Sequence, residues 1–390
     1  MKAAVWHGKR DVRVDEVPDP VIQEPTDAVI RVTSTGLCGS DLHVYEVLSP
    51  FMTSGDILGH EALGVVEETG RDVTGLRPGD RVVVPFGIAC GTCWMCREGL
   101  QSQCETTQVT EHGSGAALFG HTRLYGAVPG AQAEYLRVPQ AQYGPITVPA
   151  DVPDDRYLYL SDVLPTAWQA VRYADIPPGG SVAVLGLGPI GEMCCRIAQH
   201  QGAGQVIGID LVPERLARVM ARGIEAMDLT QHSDVAQSVR ERTVRGPDAV
   251  IDAVGMEAHG SGAGRMAQAL PGLLPDRMAE RLAGKAGVDR MAAIHLAIDM
   301  VRRGGTISLS GVYSGMADPM PLLRLFDKQI QLRMGQANVK RWVPEILPLL
   351  GDDDPLGVDD FATHHMPLDD ATYAYELFQH KDAAKVVLRP

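Results

Sequence analysis

Four cysteines crowd into fifteen residues, spaced Cys90-x2-Cys93-x2-Cys96-x7-Cys104. Thiolates at such intervals let one short loop wrap a tetrahedral zinc ion, and four of them leave no open coordination position. The expected role is stability, because the ion replaces a hydrophobic core that so short a loop cannot build. An iron–sulfur cluster is the other metal reading, but no ferredoxin spacing is present. Upstream, Gly36-Leu37-Cys38-Gly39-Ser40-Asp41-Leu42-His43 and Gly59-His60-Glu61 offer a different kind of site. Cys38 and His60 are suitable zinc ligands at strand-to-loop transitions, and a zinc that does chemistry keeps three protein ligands and one exchangeable position. Each has a plainer reading as well. A lone cysteine is more often inert and buried, Ser40 reads as a turn residue, and Asp41 reads as a loop cap.

A third constellation lies in Ser181-Val-Ala-Val-Leu-Gly186-Leu-Gly188-Pro189-Ile190-Gly191. Here an apolar strand runs into a Gly-x-Gly-x-x-Gly turn and then a helix. Gly186 makes the turn, Gly188 lets backbone approach a pyrophosphate, and Gly191 lets the helix pack on the strand. Asp210 follows nineteen residues beyond Gly191, at the end of the next apolar run. A carboxylate there accepts from ribose hydroxyls and repels a 2′-phosphate, which favours NAD over NADP. Arg215, five residues further, is a basic group that leaves room for NADP.

These residues need a framework to position them. The 390 residues are too many for one ordinary core. Up to about residue 150 the chain is rich in Val, Gly and Pro, with strand-like runs at Ala28–Val32, Ala62–Glu67 and Arg81–Pro85. No helix of useful length is evident before Ser161. After Pro178-Gly179-Gly180, apolar runs alternate with helical segments: Ser181–Leu185, Ile190–Gln201, Gln205–Ile209, Pro213–Ala221 and Ala249–Asp252. Strands follow at Thr306–Ser310, Ile330–Met334 and Lys385–Leu388. Alternation of this kind predicts βαβ units on a parallel sheet. A stretch rich in Gly, Ala, Met and Arg between Gly255 and Ala293 is too long for an ordinary connection and reads as an inserted covering segment.

Composition is that of a globular protein, 45% hydrophobic and 22% charged. The formal charge of −14 argues against nucleic acid and anionic membrane as partners. Neither a secretory signal nor a run of roughly 20 apolar residues is seen, so a cytoplasmic protein is expected. Seven cysteines in such a chain do not suggest a disulfide framework.

Taken together, the Cys38 motif, Gly59-His60-Glu61, the cysteine lobe and the dinucleotide turn resemble the zinc-dependent medium-chain alcohol dehydrogenases. The resemblance spans essentially the whole chain. It implies an α/β protein with an irregular β-rich GroES-like catalytic domain (1–160 with 340–390, the lobe at 88–106). The other domain is a doubly wound Rossmann cofactor domain (161–339, with an inserted segment at 256–293). It makes Cys38 and His60 ligands of a catalytic zinc, Glu61 a neighbour able to approach the metal, and Asp41 a carboxylate that orients His60. Ser40 and His43 match groups that pass the substrate proton outward.

Many relatives supply a cysteine as third ligand, but Ser161-Asp162-Val163-Leu164-Pro165-Thr166 presents Asp162 instead. In this the chain resembles glutathione-independent formaldehyde dehydrogenase and formaldehyde dismutase, as it does again in Asp252-Ala-Val-Gly255-Met-Glu-Ala-His259-Gly260. Thr166, Val254, Val312 and Gln336 to Asn338 fall where relatives line the nicotinamide pocket. The implied function is hydride transfer from a zinc-bound primary alcohol or hydrated small aldehyde to NAD. A secondary-alcohol or polyol dehydrogenase is the alternative, and a non-catalytic nucleotide-binding or redox-sensing protein is the alternative of another class. A homo-oligomer, dimer or tetramer, is expected from the family.

Overall fold

The computed structural model describes residues 1–255, 291–313 and 320–390. Most of the inserted segment at 256–293, and the motif tail that includes His259, lie outside the described residues. The chain forms two compact units, Met1–Pro165 with Ala337–Pro390, and Thr166–Gln336. The division falls a few residues from the 160/161 and 339/340 boundaries expected from sequence. Asp162 consequently belongs to the same unit as Cys38 and His60.

The first unit is built on an antiparallel framework. Among the described residues its strands are β1 (Lys2–Gly8), β2 (Asp11–Glu16), β3 (Ala28–Gly36), β4 (Glu61–Thr69), β5 (Arg81–Val84), β6 (Tyr135–Val138) and β7 (Ile146–Thr147). In the second unit β8 (Ser181–Leu185), β9 (Gln205–Asp210), β10 (Glu225–Asp228), β11 (Ala249–Asp252), β12 (Thr306–Leu309) and β13 (Gln331–Met334) follow. The first unit is completed by β14 (His364–Pro367) and β15 (Val386–Arg389). Its main sheet has the order β14-β15-β3-β4-β5-β7, with β6 also paired to β3. Val, Ile and Ala from β3, β4, β5 and β6 pack into one buried cluster that includes Ile30, Val66, Val82 and Leu136. β-branched side chains suit this pleated, half-buried surface.

Register in that sheet decides what the motifs can do. Gly36 on β3 pairs with Glu61 on β4. Cys38 lies two residues beyond one partner and His60 one residue before the other, so pairing brings both motifs to the same sheet end. On the other side of β3, Val387 of β15 pairs with Gly36, and the Leu37 amide donates to the Val386 carbonyl at 3.0 Å.

The second unit carries a parallel sheet in the order β10-β9-β8-β11-β12-β13. Its edge strands β10 and β13 are more polar and partly exposed. The central strands β8, β9, β11 and β12 are almost wholly buried, as expected where helices cover both faces of such sheets. Ala183, Leu185, Ile207, Ile209, Val250 and Ile307 are all buried accordingly. Strand order reverses between β8 and β11, and in such folds the crevice beyond the strand ends at that reversal receives the ligand. The glycine turn follows β8 directly. Observed strands match the sequence expectations to within a few residues, and Ser181–Leu185 and Ala249–Asp252 match at both ends.

One expectation needs correction. A helix does precede Ser161: Gly39–Glu46, eight residues carrying Ser40, Asp41 and His43. Its weak amphipathicity hid it, because what stabilises it is local capping. Cys38 is the N-cap residue in extended conformation, and the Asp41 carboxylate reaches back to accept from the Cys38 amide at 3.0 Å.

Candidate active site and metal centres

Cys38, His60 and Asp162 converge within the first unit. Cys38 Sγ lies 3.2 Å from Asp162 Oδ2, and His60 Nε2 lies 3.3 Å from the same oxygen. Asp162 reaches this point because the Ser161 carbonyl accepts from the Phe86 amide at 3.0 Å, pinning the segment just beyond the end of β5. Ligand atoms of Cys38, His60, Glu61 and Asp162 all lie within 4.8 Å of one another, and all four residues are buried. With metal–ligand bonds of about 2.0 to 2.3 Å, tetrahedral geometry separates neighbouring donors by about 3.5 Å. The Cys38–Asp162 and His60–Asp162 separations are close to that spacing.

The electrostatics agree. Burial pushes the Cys38 thiol up, and the Asp162 carboxylate pushes it further. Burial disfavours the charged form of His60, yet Asp41 and Asp162 outweigh it and raise its pKa well above the ordinary value. The pocket favours positive charge. A divalent cation bound to thiolate, imidazole and carboxylate answers that demand, so the residues fit zinc.

Around this set, Asp41 Oδ1 stands 3.2 Å from His60 Nδ1, and Ser40 Oγ stands 3.4 Å from His60 Nε2. Asp41 is itself held: Gln132 Nε2 donates to its Oδ2 at 3.3 Å, and Tyr375 donates to Gln132 Oε1 at 2.9 Å. His43 lies three residues beyond Ser40 on the same helix, on a shared face. Phe86 meets the His60 ring edge-on with centroids 6.2 Å apart.

The cysteine lobe forms a second donor set of the same tightness. Cys93 Sγ and Cys104 Sγ are 3.9 Å apart, close to the roughly 3.8 Å expected of two thiolates on one tetrahedral zinc. All four cysteines are free of disulfides. Backbone amides point at the sulfurs, with Thr92 and Cys93 donating to Cys90 at 3.4 and 3.3 Å and Cys90 donating to Cys104 at 3.4 Å. Burial opposes ionisation of Cys90, but hydrogen bonds from Thr106, Thr92 and Cys93 pull its pKa down to about 5. Trp94 sits on this lobe, 59% exposed.

In the second unit the glycine turn has the expected form. Gly186 is left-handed, with φ +79°, and its amide donates to the Ile209 carbonyl at 2.8 Å. A Cβ on Gly191 would sit 1.7 Å from the Gly186 carbonyl oxygen, so only glycine lets the helix Pro189–His200 seat on the turn. Beside Gly188 the nearest atom to such a Cβ belongs to Arg215, at 3.7 Å. Pro189 and Ile190 open the helix behind Gly188 as N-cap. Asp210 closes β9, and its carboxylate accepts from the amides of Leu187, Leu211 and Val212 at 2.6, 2.7 and 2.9 Å. Arg215 Nη1 lies 3.8 Å from it.

The remaining candidates are more scattered. Val254 is partly buried beside Gly186, and Val312 is 55% exposed next to Gly311, whose backbone presses on Gly255. Thr166 opens the second unit, and the Gln336 carbonyl near its end accepts from Gln169 at 3.0 Å. Asn338 belongs instead to the first unit, where its side-chain oxygen accepts from the Ser102 amide at 2.9 Å. It braces the turn that leads into Cys104.

Comparison with known proteins follows the same lines. Residues 24–149 match the family described as alcohol dehydrogenase GroES-like domain, and residues 189–263 match zinc-binding dehydrogenase. An uncharacterized zinc-type alcohol dehydrogenase-like protein, AdhB of Bacillus subtilis, is 38% identical over the full length of both chains. The chain belongs to the zinc-dependent medium-chain alcohol dehydrogenase family. Formaldehyde dismutase of Pseudomonas putida is 31% identical, covering all of this chain and 97% of its own. Among solved structures, the alcohol dehydrogenase TADH from Thermus sp. ATN1 superposes with a TM-score of 0.81 at 35% identity, covering 100% of this chain and 99% of that one.

This medium-chain dehydrogenase also has site residues that sequence reasoning passed over. Lys385 is fully buried and donates to Glu61 Oε1 at 2.5 Å. Its signal was present: a lysine heading the apolar run Lys385-Val386-Val387-Leu388 has to find a partner inside. His121 was also missed. Gly120 packs on Gly59, the residue before His60, and burial together with the nearby His60 charge pushes the His121 pKa down to about 4. In the second unit Asp252 accepts from the Val254 and Gly255 amides at 2.9 and 3.0 Å and from the Tyr313 hydroxyl, fixing the loop after β11.

Proposed function

We propose that this protein oxidises a primary alcohol or a hydrated small aldehyde with NAD, using one catalytic and one structural zinc. The carrying observation is the convergence of Cys38 and His60 on one Asp162 oxygen at 3.2 and 3.3 Å, with the Ser40 hydroxyl 3.4 Å from the ring nitrogen. Cys38, His60 and Asp162 would hold the catalytic ion, and Cys90, Cys93, Cys96 and Cys104 the structural one. Bound zinc supplies Lewis acidity that polarises a hydroxyl or carbonyl, and bound NAD supplies the hydride acceptor.

The chain's own groups do the rest. The Asp41 carboxylate, 3.2 Å from His60 Nδ1, attracts that side of the imidazole and favours a ring orientation in which Nε2 faces Asp162. Phe86 closes one side of the imidazole against water. Ser40 Oγ receives the proton that leaves the substrate hydroxyl while releasing its own, and His43 carries that proton outward along the helix. A gem-diol loses its proton by the same path, so alcohol and hydrated aldehyde share one chemistry. In the second unit, Gly188 and the first amides of the helix Pro189–His200 receive the pyrophosphate. Asp210, held by three backbone amides, offers its remaining lone pairs to the ribose and disfavours a 2′-phosphate.

The test is a screen for NADH or NADPH formation with small primary alcohols, secondary alcohols, polyols and aldehydes, coupled to metal analysis. Turnover with NAD and a primary alcohol or aldehyde, abolished in Cys38→Ala and Asp162→Ala variants that still bind NAD, is the expected result. Preference for a secondary alcohol or polyol would move the substrate assignment. Unchanged activity in both variants would remove the metal from the reaction.

A further inference from the structure

Glu61 and Lys385 form an ion pair from which solvent is excluded, their side chains 0% and 1% exposed. Lys385 Nζ donates to Glu61 Oε1 at 2.5 Å and to the Leu37 carbonyl at 2.7 Å, and it lies 6.0 Å from the centre of the Tyr159 ring. It thereby ties the residue before Cys38 to the residue after His60. The second carboxylate oxygen, Oε2, is buried and has no hydrogen-bond partner. Space for it exists because residue 36 is glycine: a Cβ there would stand 2.2 Å from Oε2 and 3.1 Å from Lys385 Nζ.

A desolvated carboxylate with one oxygen unsatisfied is drawn strongly to any cation in reach. Two positive charges compete for Glu61. One is the ammonium of Lys385; the other is the ion to be held by Cys38, His60 and Asp162, whose donor atoms lie within 4.8 Å of a Glu61 oxygen. A thiolate and a carboxylate already neutralise a divalent cation. A third anion would overcharge the set and occupy the position that substrate needs. We propose that Lys385 is a positioning residue that holds the Glu61 carboxylate out of the catalytic donor set, so that the fourth metal position stays open. This rests on the zinc reading above.

Cobalt(II) in place of zinc tests it, because cobalt absorption reports the number and kind of ligands, and the lobe ion contributes equally to every variant. In Lys385→Met, Glu61 loses its counter-cation and turns to the metal. The expected results are an altered cobalt spectrum at the catalytic site and roughly tenfold slower zinc release to a chelator. Both effects should vanish in the Lys385→Met/Glu61→Gln double variant, and Lys385→Arg should behave as the parent. Glu61→Gln alone should leave the cobalt spectrum unchanged. A spectral change in that single variant would overturn the proposal, since Glu61 would already be a ligand. So would identical spectra and release rates in Lys385→Met and the double variant. Should Lys385→Met fail to fold, Lys385→Gln replaces it, and the Glu61→Gln comparison stands without either. Failure of the zinc reading is distinct: the parent chain would take up cobalt at the lobe alone.

Discussion

Asp41 uses its two carboxylate oxygens for different tasks: Oδ2 accepts from the Cys38 amide at 3.0 Å, while Oδ1 faces His60 Nδ1 at 3.2 Å. One side chain thus caps the helix that begins behind one proposed ligand and orients the ring of another. Asp41→Asn keeps the shape but weakens the partner of the imidazole. Catalytic-site zinc affinity should fall by about 10- to 100-fold while the lobe ion is retained, as read by chelator competition with metal analysis.

Cys104 is fully buried and takes a hydrogen bond from the Cys90 amide. In Cys104→Ala the lobe loses a donor and a packed side chain together. Metal content should drop by one ion per chain, and the thermal midpoint should fall by about 5 °C or more. Retention of the full metal content would show that the lobe does not hold zinc through this residue.

Asp210 is the acceptor for three amides around the dinucleotide turn. Asp210→Ala leaves those donors short of a partner and removes the charge that repels a 2′-phosphate. The ratio of kcat/KM for NAD over NADP should drop by at least about tenfold, a difference of about 1.4 kcal/mol. Arg215 remains in place to favour the phosphate. An unchanged ratio would place cofactor choice elsewhere.

Gly191→Ala forces a methyl group into the 1.7 Å between that position and the Gly186 carbonyl oxygen. The helix must lift or the turn must shift. The expected cost is about 1–3 kcal/mol in stability, with weakened NAD binding measured by fluorescence titration.

Acid should act on the first unit through Asp154. Its carboxylate accepts from Thr33 and Ser34 hydroxyls, each at 2.7 Å, and pairs with Arg81. Burial works against the charge, but those hydrogen bonds and the guanidinium prevail and hold the pKa below the ordinary 3.8. A depressed folded-state value means that the stabilisation is complete above 3.8 and is lost as pH falls through the folded pKa. Asp154→Asn should therefore lower the melting temperature at neutral pH, and the gap to the parent should narrow below that point.

Much of this was legible in the chain because the decisive signals are local. The cysteine lobe and the glycine turn each lie within a short stretch, and short-range spacing dictates their geometry. Asp162 was reached only through likeness to a subfamily, since nothing in Ser161-Asp162-Val163 states that the segment will dock beside Phe86. Lys385 heads an apolar run and so declares that it needs an internal partner, but which partner could not be read, because Glu61 is 324 residues away. The helix at Gly39–Glu46 was overlooked because capping, not an apolar stripe, holds it. Asn338, placed by analogy in the nicotinamide pocket largely through backbone groups, has a side chain with a separate partner, the Ser102 amide.

The distance in sequence between Glu61 and Lys385 also bears on biogenesis. A ribosome delivers Cys38, His60, the lobe cysteines and Asp162 long before it reaches β15, so nascent donors exist for an extended time without their internal ammonium. Any ion captured early would meet an untethered Glu61. On the reading proposed above, the Glu61–Lys385 pair forms only once β15 has joined β3, well after the proposed zinc ligands have been made.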